Sequence, residues 1–483
     1  MMNITSQLPA ITSLGKKIYT VRVLQFGTGN FLRAFADWMI QKANDHLNLD
    51  LGVAMVQSMS SHDNLLKQDG MYTVLTRGLE GGKIISQADK IDVVQRLVNG
   101  QDLTALLAEA ENPDLEIILS NTTETGITFN SADTSHLEVA KTFPGKLTQL
   151  LLRRFELFPT KELGIIPCEL IEKNGSILKQ CILKYAAHWN LPAEFEEYIT
   201  TRLYFSHTLV DRIVPGLPEN PQKYWEEIGH EDNALVMCEP YHLWAIEASP
   251  WVRQKFPLDR AGLNVIYTED LEPYRVRKVR ILNGMHSVMA PVGYLAGLET
   301  VQQAMEHEII SVFLKKILDE EILPFIPGDQ EFNRHYSKEV IERFLNPSIK
   351  HKLIDITLYS FSKFRVRLLP SIKHYEKINQ HAPSGLAFAI AALLFIYRGL
   401  KAGKQIPLKD DPQTIKFLQD SWADTNYTEN GIRLLVSKLL QEKKLWGQDL
   451  NAVHGLTEQV AKYLYRIDQY GIVAALKELQ AEY

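Results

Sequence analysis

The chain has 483 residues, more than one compact core usually absorbs, so two large domains are expected. Its 45% hydrophobic and 23% charged residues are ordinary for a globular protein, and a net charge of −6 argues against a general nucleic-acid binder, which needs a basic excess to neutralise phosphates. A small anionic substrate stays admissible, because a local basic patch can hold one inside an acidic protein.

The N-terminal run MMNITSQLPAITSLGKK lacks an apolar core of signal-peptide length. The first element is the run VRVLQF at 21–26, which ends on a glycine-rich turn; a helical pattern follows over 31–43, then a second apolar run, GVAMVQ, at 52–57. Strand, glycine turn, helix and strand are the opening unit of a doubly wound sheet. Further β-like runs lie at 72–76, 84–86, 91–94, 116–121 and 163–168, and the amphipathic stretch 145–155 suits a crossover helix between the last two. From about 177 the pattern becomes largely helical, with one last β-like piece at 264–267. After about 274 amphipathic stretches such as 301–317 and 432–445 dominate. The expected fold class is therefore α/β plus α: a Rossmann-type domain over 1–275 and a mostly α-helical domain over 276–483. The longest apolar run, 386–397, is shorter than the ~20 residues of a membrane span and reads as a buried helix. Cys168, Cys181 and Cys238 are odd in number and form no CxxC pair, which fits a reducing compartment. A soluble, cytoplasmic protein with no nucleic-acid or membrane partner is expected; the sequence is silent on oligomeric state.

The turn Gly27-Thr28-Gly29-Asn30-Phe31-Leu32-Arg33 follows the first strand directly. Its first glycine permits a tight turn, its second lets backbone approach a pyrophosphate, and the next helix turns its free N–H groups toward the phosphates. Leu32 replaces the third glycine of the usual fingerprint. Phe26, Gly27, Gly29, Asn30, Phe31 and Arg33 are thus the candidate cofactor-binding residues of this turn, although Arg33 suits a surface position equally well. Gln57-Ser58 ends the second strand with neither the acid that binds a ribose nor an arginine for a 2′-phosphate, so residue chemistry leaves NAD against NADP open. Ser120 and Asn121 end the strand near 116–121, where a doubly wound sheet binds ligands; either also suits a helix cap.

The densest chemistry is YRVRKVRILNGMHS, residues 274–287. On an α-helix Lys278, Asn283 and His286 span an arc of about 140°, with His286 between the other two. They suit a ketone reductase, in which Lys278 donates the proton while Asn283 and His286 hold the reacting oxygen. Arg275, Arg277 and Arg280 are expected to lower the Lys278 pKa by like-charge repulsion. The same spacing also suits a solvated basic face. The chain has no HExxH, no paired-cysteine zinc motif and no GxSxG elbow, so neither a metal site nor a serine hydrolase is expected.

GTGNFLRAF followed far downstream by KVRILNGMHS resembles the mannitol dehydrogenase family over most of the chain, from about residue 21 to at least 398. The resemblance implies a Rossmann-type domain, a helical second domain, NAD(H) as cofactor, and Lys278 as general acid/base with Asn283 and His286 as partners. The family's V-D-R motif matches Val210-Asp211-Arg212 and implies that Asp211 lies near substrate; a structural salt bridge is the alternative for Asp211. Many polyol-oxidising members carry Asp-Asn after the cysteine at 168, whereas here Glu169-Leu170 stands there, and Leu170 cannot donate the hydrogen bond. PCELIEKNG, SNTTETGI and TLVDRIVPG instead resemble members that reduce the ketone of a hexuronate. Such an acid needs a cationic or amide-rich pocket. KFRVR at 363–367 offers cations, Lys363 resembles a substrate-side lysine of the family, and Arg343 is a further candidate. The competing expectations are a different hexuronate, a neutral polyol, or a nucleotide-sensing protein without catalysis.

Overall fold

A computed structural model describes residues 8–57, 63–122, 126–401 and 403–482. Ser58 and the segment 123–125 of SNTTETGI, both part of the sequence reading, lie outside the described residues. The chain divides into two compact units, Met1–Leu271 and Glu272–Tyr483.

The first unit is built on a six-stranded sheet. In chain order the strands of the unit are β1 (Val21–Phe26), β2 (Gly52–Gln57), β3 (Tyr72–Glu80), β4 (Lys83–Ile91), β5 (Val94–Asn99), β6 (Ile117–Ser120), β7 (Leu163–Pro167), β8 (Leu203–Phe205), β9 (His207–Asp211), β10 (Val236–Cys238), β11 (Leu243–Glu247) and β12 (Val265–Thr268). The main sheet runs β5-β2-β1-β6-β7-β8, and every pairing in it is parallel. Ranked by chain position its strands read 3-2-1-4-5-6, the Rossmann order, with the switch point between β1 and β6. Alternation along β1 and β2 explains the two cores. Val23, Val53 and Met55 join one apolar cluster, while Leu24, Phe26, Ala54 and Val56 join the other. Helix α1 (Trp38–Leu47) contributes to the first cluster, and α2 (Phe143–Leu157) and α3 (Asn174–His188) cover the second. Two small sheets, β10-β3-β4 and β12-β11-β9, complete the unit.

The strands β8 to β11 stand where the sequence pattern reads as helical. Each has three to five residues, too few for a period of 2 to be told from one of 3.6. The expected run 91–94 instead straddles the end of β4 and the start of β5.

The second unit is helical; its only described strands are the two-residue pieces Leu400–Lys401 and Lys404–Gln405. Helices α4 (Gly284–Leu295), α5 (Gln330–Phe344), α6 (Ser360–Arg367) and α7 (Leu369–Asn379) surround the residues expected to carry chemistry. The apolar α8 (Ser384–Ile396) is buried along nearly its whole length and packs on α4, as its all-round hydrophobicity requires. Its first turn is capped by buried Glu321, which accepts from the backbone N–H of Gly385 (2.7 Å) and Leu386 (2.8 Å); burial pushes that carboxyl up to about 7. No helix among the described residues is long and apolar enough to cross a membrane. Cys168, Cys181 and Cys238 are buried and unbonded to one another.

Candidate active-site residues

In the first unit the glycine turn opens at the switch point. Gly27 has φ +117°, and a Cβ there would stand 2.9 Å from the Asn121 carbonyl oxygen, so the turn after β1 lies against the end of β6 and admits only glycine. The Gly27 N–H donates to Val56 O (3.2 Å) and the Asn121 N–H to Phe26 O (3.2 Å), which ties together the carboxyl ends of β1, β2 and β6. Gly29 differs. It is exposed, its φ is −65°, and a Cβ would meet nothing within 4 Å. That open space beside a helix start is the cradle a pyrophosphate needs.

Asn30 and Phe31 are half-buried at the start of the helical segment, Phe26 is buried against Phe143 (5.0 Å between ring centroids), and Phe31 stacks on Phe35 at 4.8 Å. Arg33 turns inward: it is buried over the Tyr72 ring, and its guanidinium donates to Ala234 O (2.8 Å) and Asn30 Oδ1 (2.5 Å). The surface position entertained for it is therefore corrected; its charge holds Asn30 and the β10 side of the unit. Gln57 is half-buried at the end of β2, where its carbonyl accepts from Gly100 N–H at 2.8 Å.

Two buried acids beneath this region, Glu169 and Asp37, were given no structural role by the sequence reading. Glu169, just past β7, accepts from Ser120 Oγ (3.0 Å), Thr122 N–H (3.0 Å) and Thr122 Oγ1 (3.1 Å), while Asn121 Nδ2 donates to Cys168 O at 2.6 Å. The end of β6 is thus fixed by its neighbour strand, and burial raises the Glu169 pKa. Asp37, fully buried, accepts from Gln25 Nε2 (3.3 Å) and Tyr72 Oη (3.1 Å); Gln25 also donates to Gly27 O at 3.0 Å. Burial pushes Asp37 up to about 7. The available signal was an acid inside the apolar run AFADWMI.

Asp211 also belongs to this unit. It is buried at the end of β9, opposite Leu243 of β11. Its neighbour Arg212 is a structural clamp, donating to Glu239 O (3.0 Å), Ala34 O (2.6 Å) and Thr76 Oγ1 (3.2 Å) from above the Trp38 ring.

In the second unit Lys278–Asn283 is a π turn, bounded by Glu272–Arg277 and α4. A π turn closes N–H bonds five residues back. Residues i and i+5 then stand one above the other much as i and i+4 do on an α-helix, so Lys278 and Asn283 share a face more closely than the α-helical arc implies. Lys278 and Asn283 are half-buried and His286 is buried.

The arginines around Lys278 have partners of their own. Arg275 pairs with Glu272, Arg277 donates to Asn333 Oδ1 (3.1 Å) from over the Phe332 ring, and Arg280 donates to Phe325 O (3.1 Å). His286 packs on Phe344 (4.6 Å) and edge-on to His351 (4.8 Å). His351 was missed by sequence reading. Burial lowers its pKa, with the charge of Lys363 in the same direction and Asp355 opposed. Lys363 is half-buried and donates to Ile356 O at 3.1 Å, and Arg343 is buried at the end of α5. Arg367, one turn beyond Lys363, donates to Asn283 O (3.3 Å) and Ser287 Oγ (3.1 Å). The expected cation cluster is therefore divided by helical phase. Arg367 reaches Asn283 and Ser287, Lys363 reaches Ile356 O and acts on His351, and Arg365 lines a groove with α7.

Comparison with known proteins agrees with both units. A family model described as the mannitol dehydrogenase Rossmann domain matches residues 21–260, and one described as the mannitol dehydrogenase C-terminal domain matches 270–468. An altronate oxidoreductase of Bacillus subtilis (strain 168) is 39% identical over 468 residues, covering 95% of each chain. One from Yersinia enterocolitica is 39% identical over 463 residues, covering 94% of this chain and 96% of its own. Among solved structures, substrate-free D-sorbitol dehydrogenase superposes with a TM-score of 0.81 at 22% identity, covering 98% of both chains. Mannitol 2-dehydrogenase of Pseudomonas fluorescens, in a ternary complex with NAD and D-mannitol, gives 0.73 at 21%, covering 99% of this chain and 97% of that one.

Proposed function

The chain belongs to the mannitol dehydrogenase family, and from that premise we propose that it is an NAD-dependent oxidoreductase reducing the ketone of a hexuronate, tagaturonate to altronate, reversibly. The observation that carries the reading is the 39% identity to altronate oxidoreductases along 95% of the chain, which spans both the glycine turn and the Lys278 segment. Leu170, largely exposed just past β7, supports an acid over a neutral polyol, because it offers no amide where many polyol-oxidising members have one.

The open space at Gly29 and the switch point between β1 and β6 fit a dinucleotide, held by the turn 27–31, Gln57, Ser120 and Asn121. NADH, when bound, supplies the hydride to the ketone carbon. Lys278 gives a proton to the carbonyl oxygen as the C–O bond becomes single, and takes it back in the reverse direction. Asn283 and His286 hold that oxygen. The π turn presents Lys278 and Asn283 together, Arg367 braces the Asn283 backbone, and the aromatic packing of Phe344 and His351 fixes the His286 ring. Lys363 and Arg343 are the cations for the substrate carboxylate, and Asp211 borders the sugar hydroxyls.

The test is NADH consumption with tagaturonate, fructuronate and fructose, repeated with NADPH. Tagaturonate with NADH is expected to be fastest; fructose reduced as well as the uronates would defeat the acid-substrate reading. Lys278→Ala is expected to lower kcat by about 100-fold or more with NADH binding unchanged. Full activity in that variant refutes the proton role. NADH binding with no turnover of any keto acid would favour a sensor instead.

A further inference from the structure

The helical unit carries a second basic feature that the proposed reaction does not use. A groove of about 450 Å³ opens between α6, α7 and the short helix α9 (Lys443–Trp446). Its floor is apolar, from Leu369, Pro370 and Trp446, and its polar lining is Arg365, Lys373, His374 and Gln448. No carboxylate is among the lining residues, and neither Arg365 nor Lys373 has an ion-pair partner among the described residues. In a chain of net charge −6, two cations and an imidazole around one concavity with no carboxylate in its lining make a local field that favours an anion.

Helical phase separates this groove from the residues assigned to catalysis. Arg367 reaches Asn283 and Ser287 and Lys363, four residues earlier on α6, acts on His351, while Arg365 lies about 200° around the helix from Lys363. Gly447 leaves room for the Arg365 stem: its φ is +76°, and a Cβ there would stand 3.0 Å from Arg365 Cδ. His374 is oriented as well. Arg280 Nη1 stands 3.4 Å from His374 Nδ1, and an arginine only donates, so Nδ1 is the acceptor and the ring N–H is on Nε2. A guanidinium fork, an ammonium, an imidazole N–H and the Gln448 amide are the donor set of a phosphate site, in which a dianion with three oxygens accepts several charge-assisted bonds. The volume exceeds what a phosphate alone fills, and the apolar floor accommodates the body of a small metabolite.

We propose that the groove lined by Arg365, Lys373 and His374 binds the phosphate group of a small phosphorylated metabolite, at a site separate from Lys278. The test is isothermal titration of the full-length protein with inorganic phosphate, NADH being present at saturation so that the nucleotide turn is filled, and acetate serving as a monoanion control. Saturable binding of phosphate at one site, with none of acetate, is expected. Arg365→Gln and Lys373→Gln should each weaken it at least about threefold, and the double variant about tenfold or more. Steady-state reduction without phosphate should be unchanged in all three variants, which separates failure of this site from failure of the proposed reaction. As a second readout, the His374 ring resonances of the parent, assigned with His374→Gln, should shift on adding phosphate. Equal phosphate affinity in parent and double variant, an unmoved His374 resonance, or an adventitious ion only, seen as non-saturating uptake, would overturn the proposal.

Discussion

Gly27 and Gly29, two residues apart, face opposite constraints, and substitution separates them. Alanine at 27 brings a Cβ within 2.9 Å of the Asn121 oxygen at a φ of +117°. The fold itself should suffer, by about 1–3 kcal/mol, seen as a lower Tm without any ligand. Alanine at 29 meets nothing within 4 Å at an ordinary φ, so Tm should hold while NADH affinity drops about tenfold or more as the methyl occupies the phosphate approach. Equal NADH affinity in parent and Gly29→Ala would move the pyrophosphate elsewhere. Asp37, beneath the same turn, gives a prediction in pH. Burial holds its carboxyl up to about 7, against roughly 3.9 in an unfolded chain. Between those values the folded state keeps a proton that the unfolded state has lost, so its contribution makes stability fall as pH rises from about 4 to about 7 and then level off. Asp37→Asn keeps an acceptor for Gln25 and Tyr72 and removes the titration. Urea denaturation from pH 5 to 8 should show a shallower fall than in the parent, with the variant gaining about 2 kcal/mol relative to it by pH 8. Parallel curves would assign the slope to other groups, Glu321 first, since burial pushes it up to about 7 as well.

At the scale of elements, both chemistry-bearing segments contain a π turn, Arg33–Asp37 after the glycines and Lys278–Asn283 before α4. An inserted residue widens a helix locally and changes the phase of everything beyond it. Deleting Val279 should restore α-helical winding and rotate Lys278 by about 100° relative to His286. NADH oxidation should fall by about 100-fold or more while far-UV circular dichroism stays as in the parent. A variant that keeps its rate would show that the π turn does not set the Lys278–His286 geometry. This feature was not legible in the sequence, because a 3.6-residue pattern tolerates a single extra residue without visible interruption. The strands β1, β2, β6 and β7 and the crossover helix α2 were legible, since each is a continuous apolar or amphipathic run bounded by turn residues. The helical stretch 301–317 reads as one element but breaks at His307, whose Nδ1 caps the second helix at Ile310 N–H. The direction of a side chain in tertiary space was least legible. Arg33 folding inward and His351 reaching His286 depend on packing partners far off in sequence.

At the scale of the whole molecule, each unit holds a different part of the proposed reaction. Gly27, Gly29, Gln57, Ser120 and Asn121 belong to Met1–Leu271, and Lys278, Asn283, His286, Arg343 and Lys363 to Glu272–Tyr483. The two large apolar clusters of the first unit lie one on each face of a sheet whose six strands all lie within it, so its nucleotide turn is supported by local structure. A fragment of residues 1–271 is therefore expected to fold and to bind NADH within about tenfold of the full-length affinity, because the donors that meet the phosphates are its own backbone. It should reduce no keto acid, since the proton donor is missing. Fluorescence titration with NADH, alongside a melting curve to show cooperative unfolding, makes the comparison. A fragment that melts cooperatively yet binds no NADH would place essential cofactor contacts beyond residue 271. A fragment that still turns over tagaturonate would remove Lys278 from the mechanism altogether.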